Sequence, residues 1–290
     1  MNTKNSPVII IGMHRSGTTL LSNQLNKMGL FTGKSLGIHG EANFFVKLND
    51  WLLKQTASSW DKPKNIEKIY IKEQEEEFKS FKTFLIIMLE SILKYKYFGL
   101  KHLFFKRKKW GFKDPVNSLT LPFWLSIYPN AKILFIKRHG IDVSNSLEVR
   151  NKNKFNKNLN RLKSRWIYRF YLIYSQYFKN DYRNRGFVDS INCKDFDYGI
   201  ELWDYYNDKC YKYLDSIEES NKYELKYEDL LLSPDRILLE INNFLNLEFS
   251  AEKIKEISKD INPKRAYSYR KNSNLEKEKK YKKVLEKHGY

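Results

Sequence analysis

Four consecutive apolar residues, Val8-Ile9-Ile10-Ile11, begin the patterned part of the chain. Such an uninterrupted run reads as a strand buried on both faces of a parallel sheet. A loop bounded by Gly12 and Gly17 follows, and residues 18–28 then carry Leu20, Leu21, Leu25 and Met28 at helical spacing until Gly29 stops them. Strand, loop and helix make a first unit. A second spans 131–146, where Ile133-Leu134-Phe135-Ile136 reads as a strand and a helix is predicted from Asp142 onward. Between the two units, residues 41–109 are mostly helical in pattern and rich in aromatics, which predicts an excursion forming one wall of a cleft. Residues 147–223 again favour helix. Tyr223-Glu224-Leu225-Lys226-Tyr227 alternates, and a helix is predicted over 233–245 with Pro234 in its first turn. No internal repeat or low-complexity linker interrupts the chain, so one α/β domain over residues 1–290 is expected, with a central parallel sheet flanked by helices.

The chain is long enough for a sizeable core, and 41% hydrophobic with 16% aromatic residues excludes a disordered or fibrous protein. Charge adds a second constraint. Fifty-three Lys and Arg against thirty-four Asp and Glu give +19, which favours partners that are polyanions or small, highly charged anions. Lys, Asn, Ile and Tyr are abundant together, as a nucleotide-composition bias would make them, so solvated surface is an equally open reading of that charge. Residues 101–113 hold six basic side chains and residues 150–169 hold eight, with no acid in either. These clusters could draw an acidic glycan or peptide, or simply face solvent. Interleaved aromatics also leave open a basic nucleic-acid-binding protein without catalysis. The tail 264–290 adds ten basic and three acidic residues. Cys193 and Cys210 form neither a disulfide framework nor a metal-ligand pattern, which suits a reducing compartment. The longest apolar stretch, 84–93, includes Glu90 and is too short to span a bilayer. The first seven residues are polar, so a soluble, cytoplasmic protein without a membrane span is expected; oligomeric state is not legible.

The candidate chemistry starts at Gly12-Met13-His14-Arg15-Ser16-Gly17-Thr18-Thr19. Two glycines framing four residues between a buried strand and a helix turn successive amides and the positive end of the helix toward one point, as a phosphate requires. A nucleotide hydrolase or P-loop kinase would place Lys and then Ser or Thr after the second glycine. Thr18 and Thr19 stand there instead, and Arg15 supplies the cation from within the loop.

Residues 7–21 resemble the 5′-phosphosulfate loop of the P-loop sulfotransferases, whose donor is 3′-phosphoadenylyl sulfate (PAPS) and whose nucleotide product is 3′-phosphoadenosine 5′-phosphate. The resemblance is nearest to bacterial and tyrosylprotein-type members. It implies that Arg15 touches the bridging oxygen and sulfuryl group while Ser16, Gly17, Thr18 and Thr19 hold the 5′-phosphate. Residues 133–146, with Arg138 at a strand end and Ser146 eight residues on, resemble the family's 3′-phosphate motif. A dianion on a ribose calls for a fixed guanidinium and a hydroxyl. His139-Gly140 departs from the family, where Asp with Pro or Gly is common. Trp110-Gly111-Phe112-Lys113-Asp114-Pro115 resembles the segment whose lysine stabilises the transferring group, a role that passes to Lys113. Tyr227-Glu228-Asp229-Leu230 resembles the turn whose tyrosine packs near the adenine, although Tyr227 also fits a half-buried core position. Tyr267-Ser268-Tyr269-Arg270-Lys271 and the closing His288-Gly289-Tyr290 resemble the cofactor lid and the usual ending of bacterial members; the resemblance carries donor contacts to Arg270 or Lys271, without the glycine usual after that pair.

The resemblance also places a catalytic glutamate at Glu41, with His39 as the competing base because imidazole titrates near neutrality. Glu41 otherwise suits the first turn of a helix. Sulfuryl transfer of this kind needs positioning and cations rather than a metal, and no metal is expected. The acceptor is expected to be a hydroxyl compound, a carbohydrate or glycolipid first and a peptide tyrosine second, with no nucleic-acid partner.

Overall fold

In the computed structural model, the apolar run Val8–Ile11 forms β1 and is buried along its whole length. The structure describes residues 6–34, 36–37, 40–99, 109–164, 166–178, 187–272 and 275–290. Three further strands complete its sheet, β2 (Gly111–Lys113) and β3 (Lys132–Lys137) beside β1 and β4 (Lys222–Lys226) beside β3. Their order is β2-β1-β3-β4, and every pairing is parallel, with Ile9 opposite both Phe112 and Ile133 and Leu134 opposite Tyr223.

Alternation along the strands divides the core in two. Ile9, Ile11, Phe112, Ile133 and Phe135 enter one apolar cluster, whereas Val8, Ile10, Leu134, Ile136 and Leu225 enter the other. Burial on both faces explains why β1 and β3 read as unbroken apolar runs. The second cluster is closed by α1 (Thr18–Lys27), through Leu21 and Leu25. The first is closed by the excursion helices α2 (Asn43–Gln55), α3 (Glu75–Glu90) and α4 (Tyr95–Phe98), and by α5 (Asn117–Ile127). α6 (Gly140–Ser164) starts against it through Ile141, Val143 and Leu147 and leads to α7 (Trp166–Phe178). α8 (Phe196–Leu214) packs on α6 and brings Trp203 and Tyr206 into the same cluster. α9 (Tyr227–Leu232), α10 (Pro234–Leu245) and α11 (Ala251–Ser258) return to the second cluster, and α12 (Leu275–Lys280) and α13 (Lys282–Lys287) end the chain.

The expected parallel α/β sheet and helical excursion are present, with three differences. Strand β2 was not predicted, because three residues are too few to show a period. The helix expected from Asp142 begins at Gly140, and the strand expected to reach Tyr227 ends at Lys226 so that Tyr227 opens α9. Among the described residues, no helix is long and apolar enough to cross a membrane. Because all four strands run the same way, the segments that follow them leave from one edge, where ligands of open α/β sheets bind. That edge gathers the loop after β1, Lys113 at the end of β2, Arg138 after β3 and Tyr227 after β4.

Candidate active site

The loop at residues 12–17 is shaped by backbone conformations that favour glycine. Gly12 has φ 142° and Gly17 φ 96°, and Arg15 between them adopts φ 73°. A Cβ at Gly12 would overlap the carbonyl oxygen of Ile136 on β3, and one at Gly17 would overlap the ring of Tyr227. The loop is pinned from below, since the Gly12 amide donates to Ser118 Oγ at 2.8 Å and the Ser16 amide to Met13 O at 3.1 Å. Above it, α1 starts with no acidic residue in its first turn and no side-chain cap, which leaves its positive end open to an anion. Gly12→Ala is expected to cost ~3 kcal/mol or more, since backbone cannot yield as a side chain can. A shift of the urea midpoint at unchanged slope measures it.

Arg15, Arg138 and Ser146 come together, although they lie far apart in sequence. Arg15 Nε donates to Ser146 Oγ at 2.7 Å, and Arg138 Nη1 donates to Arg15 O at 3.3 Å. Arg138 is fixed further by Asp142, whose Oδ2 lies 3.4 Å from Nη2, and by the Tyr227 ring, 4.8 Å below its guanidinium. Buried Glu228 accepts the His139 amide at 2.9 Å, and Trp203 Nε1 donates to Arg138 O at 2.9 Å, so the backbone turn carrying Arg138 is held from two sides. Among the described residues, the buried Arg138 Nε has no hydrogen-bond partner. Burial lowers the pKa of Arg15, and the nearby charges of Arg150 and Arg138 lower it further. An anion between these guanidinium groups would relieve that repulsion and give Arg138 Nε an acceptor. Burial pushes the imidazole of His139 down to about 4, so it is neutral at physiological pH where it stacks on Tyr269 at 4.2 Å.

On the other side of the loop, Lys113 is 1% exposed and its Nζ donates to Thr19 Oγ1 at 3.1 Å and to Glu41 Oε1 at 3.3 Å. Burial lowers the Lys113 pKa, and the carboxylates of Glu41 and Asp114 offset part of that. The Asp114 carboxyl, itself buried, is pushed up to about 7, first by burial and then by the charge of Glu41. Its oxygens accept from Asn49 Nδ2 at 2.9 Å and the Val116 amide at 3.1 Å. Asn49 Nδ2 also donates to Asn117 Oδ1, while its Oδ1 accepts from Thr120 and Trp124, and Asn117 Nδ2 reaches Ile10 O at 3.2 Å. A buried polar network therefore ties α2, β1, β2 and α5 together beneath Lys113.

Most residues singled out by sequence thus share one edge of the sheet: Arg15, Ser16, Gly17, Thr18 and Thr19 in the loop, with Lys113, Glu41, Arg138, Ser146 and Tyr227 around it. Tyr227 is a core residue, 6% exposed, which bears out its reading as a buried aromatic. The tail residue bonded to Arg138 is Ser268 (Nη2 to Oγ, 3.3 Å), which itself donates through Oγ and its amide to Asp142. Arg270 instead lies 4.4 Å from the Tyr267 ring and donates Nε to Tyr269 Oη at 3.4 Å. His39, residues 101–108 and the side chain of Lys271 lie outside the described residues. Within the basic clusters, Lys109 donates to the carbonyls of Leu245 and Asn246, and Arg150 and Lys154 both pair with Asp189, so several of these cations serve internal contacts. Asp204, Asp208 and His288 form a group of metal-ligand type, and the Lys287 ammonium lies 2.9 and 2.7 Å from the two carboxylates and offsets part of their charge.

A glycine-framed loop, an open helix start and converging cations at the carboxyl edge of a parallel sheet are the parts of an α/β anion site. The sequence pattern of the sulfotransferase family matches residues 7–251, and the chain belongs to that family. No curated protein matches the sequence. Three solved structures similar to this chain are all sulfotransferases. The sulfotransferase domain from the curacin biosynthetic pathway is 17% identical, with 85% of this chain and 75% of that one covered and a TM-score of 0.46. The sulfotransferase domain of the Synechococcus PCC 7002 olefin synthase is 15% identical, with 86% and 77% covered and a TM-score of 0.45. A sulfotransferase from Mycobacterium avium is 16% identical, with 87% and 67% covered and a TM-score of 0.44.

Proposed function

We propose that this sulfotransferase takes its sulfuryl group from PAPS and delivers it to a hydroxyl of a carbohydrate or glycolipid. The observation that carries the donor assignment is the convergence of Arg15, Ser146 and Arg138, at 2.7 and 3.3 Å, beside the glycine loop. Two guanidinium groups, a hydroxyl and a row of loop amides fit a ligand with phosphates at two ends, and the buried Nε of Arg138 fits the same demand. PAPS supplies an activated sulfuryl group on a nucleotide whose 3′-phosphate distinguishes it from ordinary nucleotides. The loop from Ser16 to Thr19 holds the 5′ end, and Arg138 with Ser146 holds the 3′ end.

In the reaction, a new bond forms between the acceptor oxygen and sulfur while the bond from sulfur to the bridging phosphate oxygen breaks. Arg15 and Lys113 neutralise charge growing on the bridging and sulfuryl oxygens. Glu41 takes the acceptor proton; its contact with Lys113 keeps base and cation on the same side of the reacting atoms. Transfer of labelled sulfate from PAPS to a panel of sugars, glycolipids and tyrosine peptides tests the reading, with label expected on the sugar-bearing acceptors. Label on peptides alone would replace the acceptor class, and none on any acceptor would contradict the activity.

Two further results follow from the geometry. Glu41→Gln is expected to lower kcat ~10²–10⁴-fold, with affinity for 3′-phosphoadenosine 5′-phosphate within about twofold of the parent. Preserved turnover would move the base to His39. Because Lys113 must be charged and its pKa is lowered, kcat should decline at alkaline pH below the range where an ordinary lysine titrates, at about 10.4. Lys113→Arg should move that decline to higher pH, whatever it does to the rate.

A further inference from the structure

α7 exposes six large apolar or aromatic side chains. Trp166 is 69% exposed, Ile167 64%, Phe170 63% and Ile173 59%, and Tyr171 and Tyr174 are also open. With 3.6 residues per turn, these six positions share one arc of about 160°. Outside the arc, Tyr168 turns toward α6, where its Oη donates to Asn158 Oδ1 at 3.2 Å and the Arg161 guanidinium lies 5.8 Å from its ring. Exposed cations accompany the arc: Arg169 on α7 itself, and Lys157, Arg161 and Lys163 on the last turns of α6, which packs against α7. Residues 150–169 contain no acid at all.

An arc of Trp, Ile, Phe and Tyr bordered by Lys and Arg, on a helix lying at the surface, has the composition of an interfacial membrane helix. The charge selects among occupants. A second copy of this chain seated on the same face would bring its own cations against these, whereas an anionic lipid surface neutralises them. We infer that α7 docks the protein on anionic membranes, lying in the plane of the interface. Trp166, Ile167, Phe170 and Ile173 enter the boundary between headgroups and acyl chains, and Lys157, Arg161, Lys163 and Arg169 face the lipid phosphates. The inference rests on α6 and α7 and is independent of the donor assigned above.

Cosedimentation of the full chain with vesicles tests it, using phosphatidylcholine alone and phosphatidylcholine with about one-third phosphatidylglycerol. A basic side chain near an anionic surface is worth about fivefold in partitioning, so binding to the anionic vesicles should exceed binding to the neutral ones by at least ~20-fold and should weaken as salt rises. The triple variant Trp166→Ser, Phe170→Ser and Ile173→Ser should lose at least ~10-fold of that binding. Since all three side chains are exposed, its circular dichroism and its titration with 3′-phosphoadenosine 5′-phosphate should match the parent. Lys157→Gln with Lys163→Gln should retain less anionic preference and a shallower salt dependence. Equal partitioning onto both vesicles, no pelleting with either, or a dimer in sedimentation velocity that the triple variant abolishes while vesicle binding is unchanged would each overturn the inference.

Discussion

Arg138→Ala is expected to weaken binding of 3′-phosphoadenosine 5′-phosphate about 100-fold while changing the affinity for adenosine 5′-phosphosulfate less than about threefold. The asymmetry follows from where the side chain sits. Arg138 leaves the end of β3 with its guanidinium over Tyr227 and beside Ser146's partner Arg15, and in the proposed binding mode only a ligand with a 3′-phosphate would engage its buried Nε. A charge-assisted hydrogen bond to a dianion is worth about 1.5–3 kcal/mol, so losing one sets the size of the effect. Arg138 also helps hold Ser268 and Asp142, so a purely structural role must be told apart from a binding role. Arg138→Lys keeps a charge but not the planar fork, and should recover part of the loss for the 3′-phosphorylated nucleotide only. Equal losses for both nucleotides would remove the assignment.

Lys113→Met is the second large effect, with kcat expected to fall ~10²–10³-fold and the donor dissociation constant to change little. Lys113 is nearly inaccessible in the free protein, yet its ammonium is aimed at Thr19 in the loop and at Glu41. Burying that charge costs folding energy, as its lowered pKa records, while removing it leaves Glu41 without its cation, so with the two effects opposed an apolar residue of similar volume should leave the melting temperature close to the parent's. Lost turnover with retained stability is the signature of a group kept for chemistry. A melting temperature that falls together with turnover would instead make Lys113 a structural member of the Asn49 and Asp114 network.

Local pattern made part of this site legible in the sequence. The run Val8–Ile11 and the Gly12 to Gly17 frame announce a strand and an anion loop without any partner, because burial on both faces and positive φ are properties of the segment itself. Arg15, Arg138 and Ser146 were legible through resemblance, and the sheet topology is what brings them together. What stayed hidden is long-range and polar. Asn49, Asn117 and Ser118 carry no local signature, since their importance lies in bonds to residues 65 to 107 positions away. Asp142 and Ser268, 126 residues apart, were likewise not singled out, and the tail contact to Arg138 comes from Ser268 rather than from Arg270. Strand β2 was missed because it is short, although Lys113 at its end was found by its motif. The +19 charge is partly accounted for: Arg15, Lys113 and Arg138 face one edge, and Lys109, Arg150 and Lys154 serve internal contacts.

Calorimetric titration of the protein with 3′-phosphoadenosine 5′-phosphate and, separately, with adenosine 5′-monophosphate tests the central claim most directly. Saturable binding of one 3′-phosphorylated nucleotide per chain, with the monophosphate at least ~100-fold weaker, is the predicted result. Equal affinities for the two nucleotides, or no saturable binding of either, would contradict a site built by Arg15, Arg138 and Ser146 for that donor.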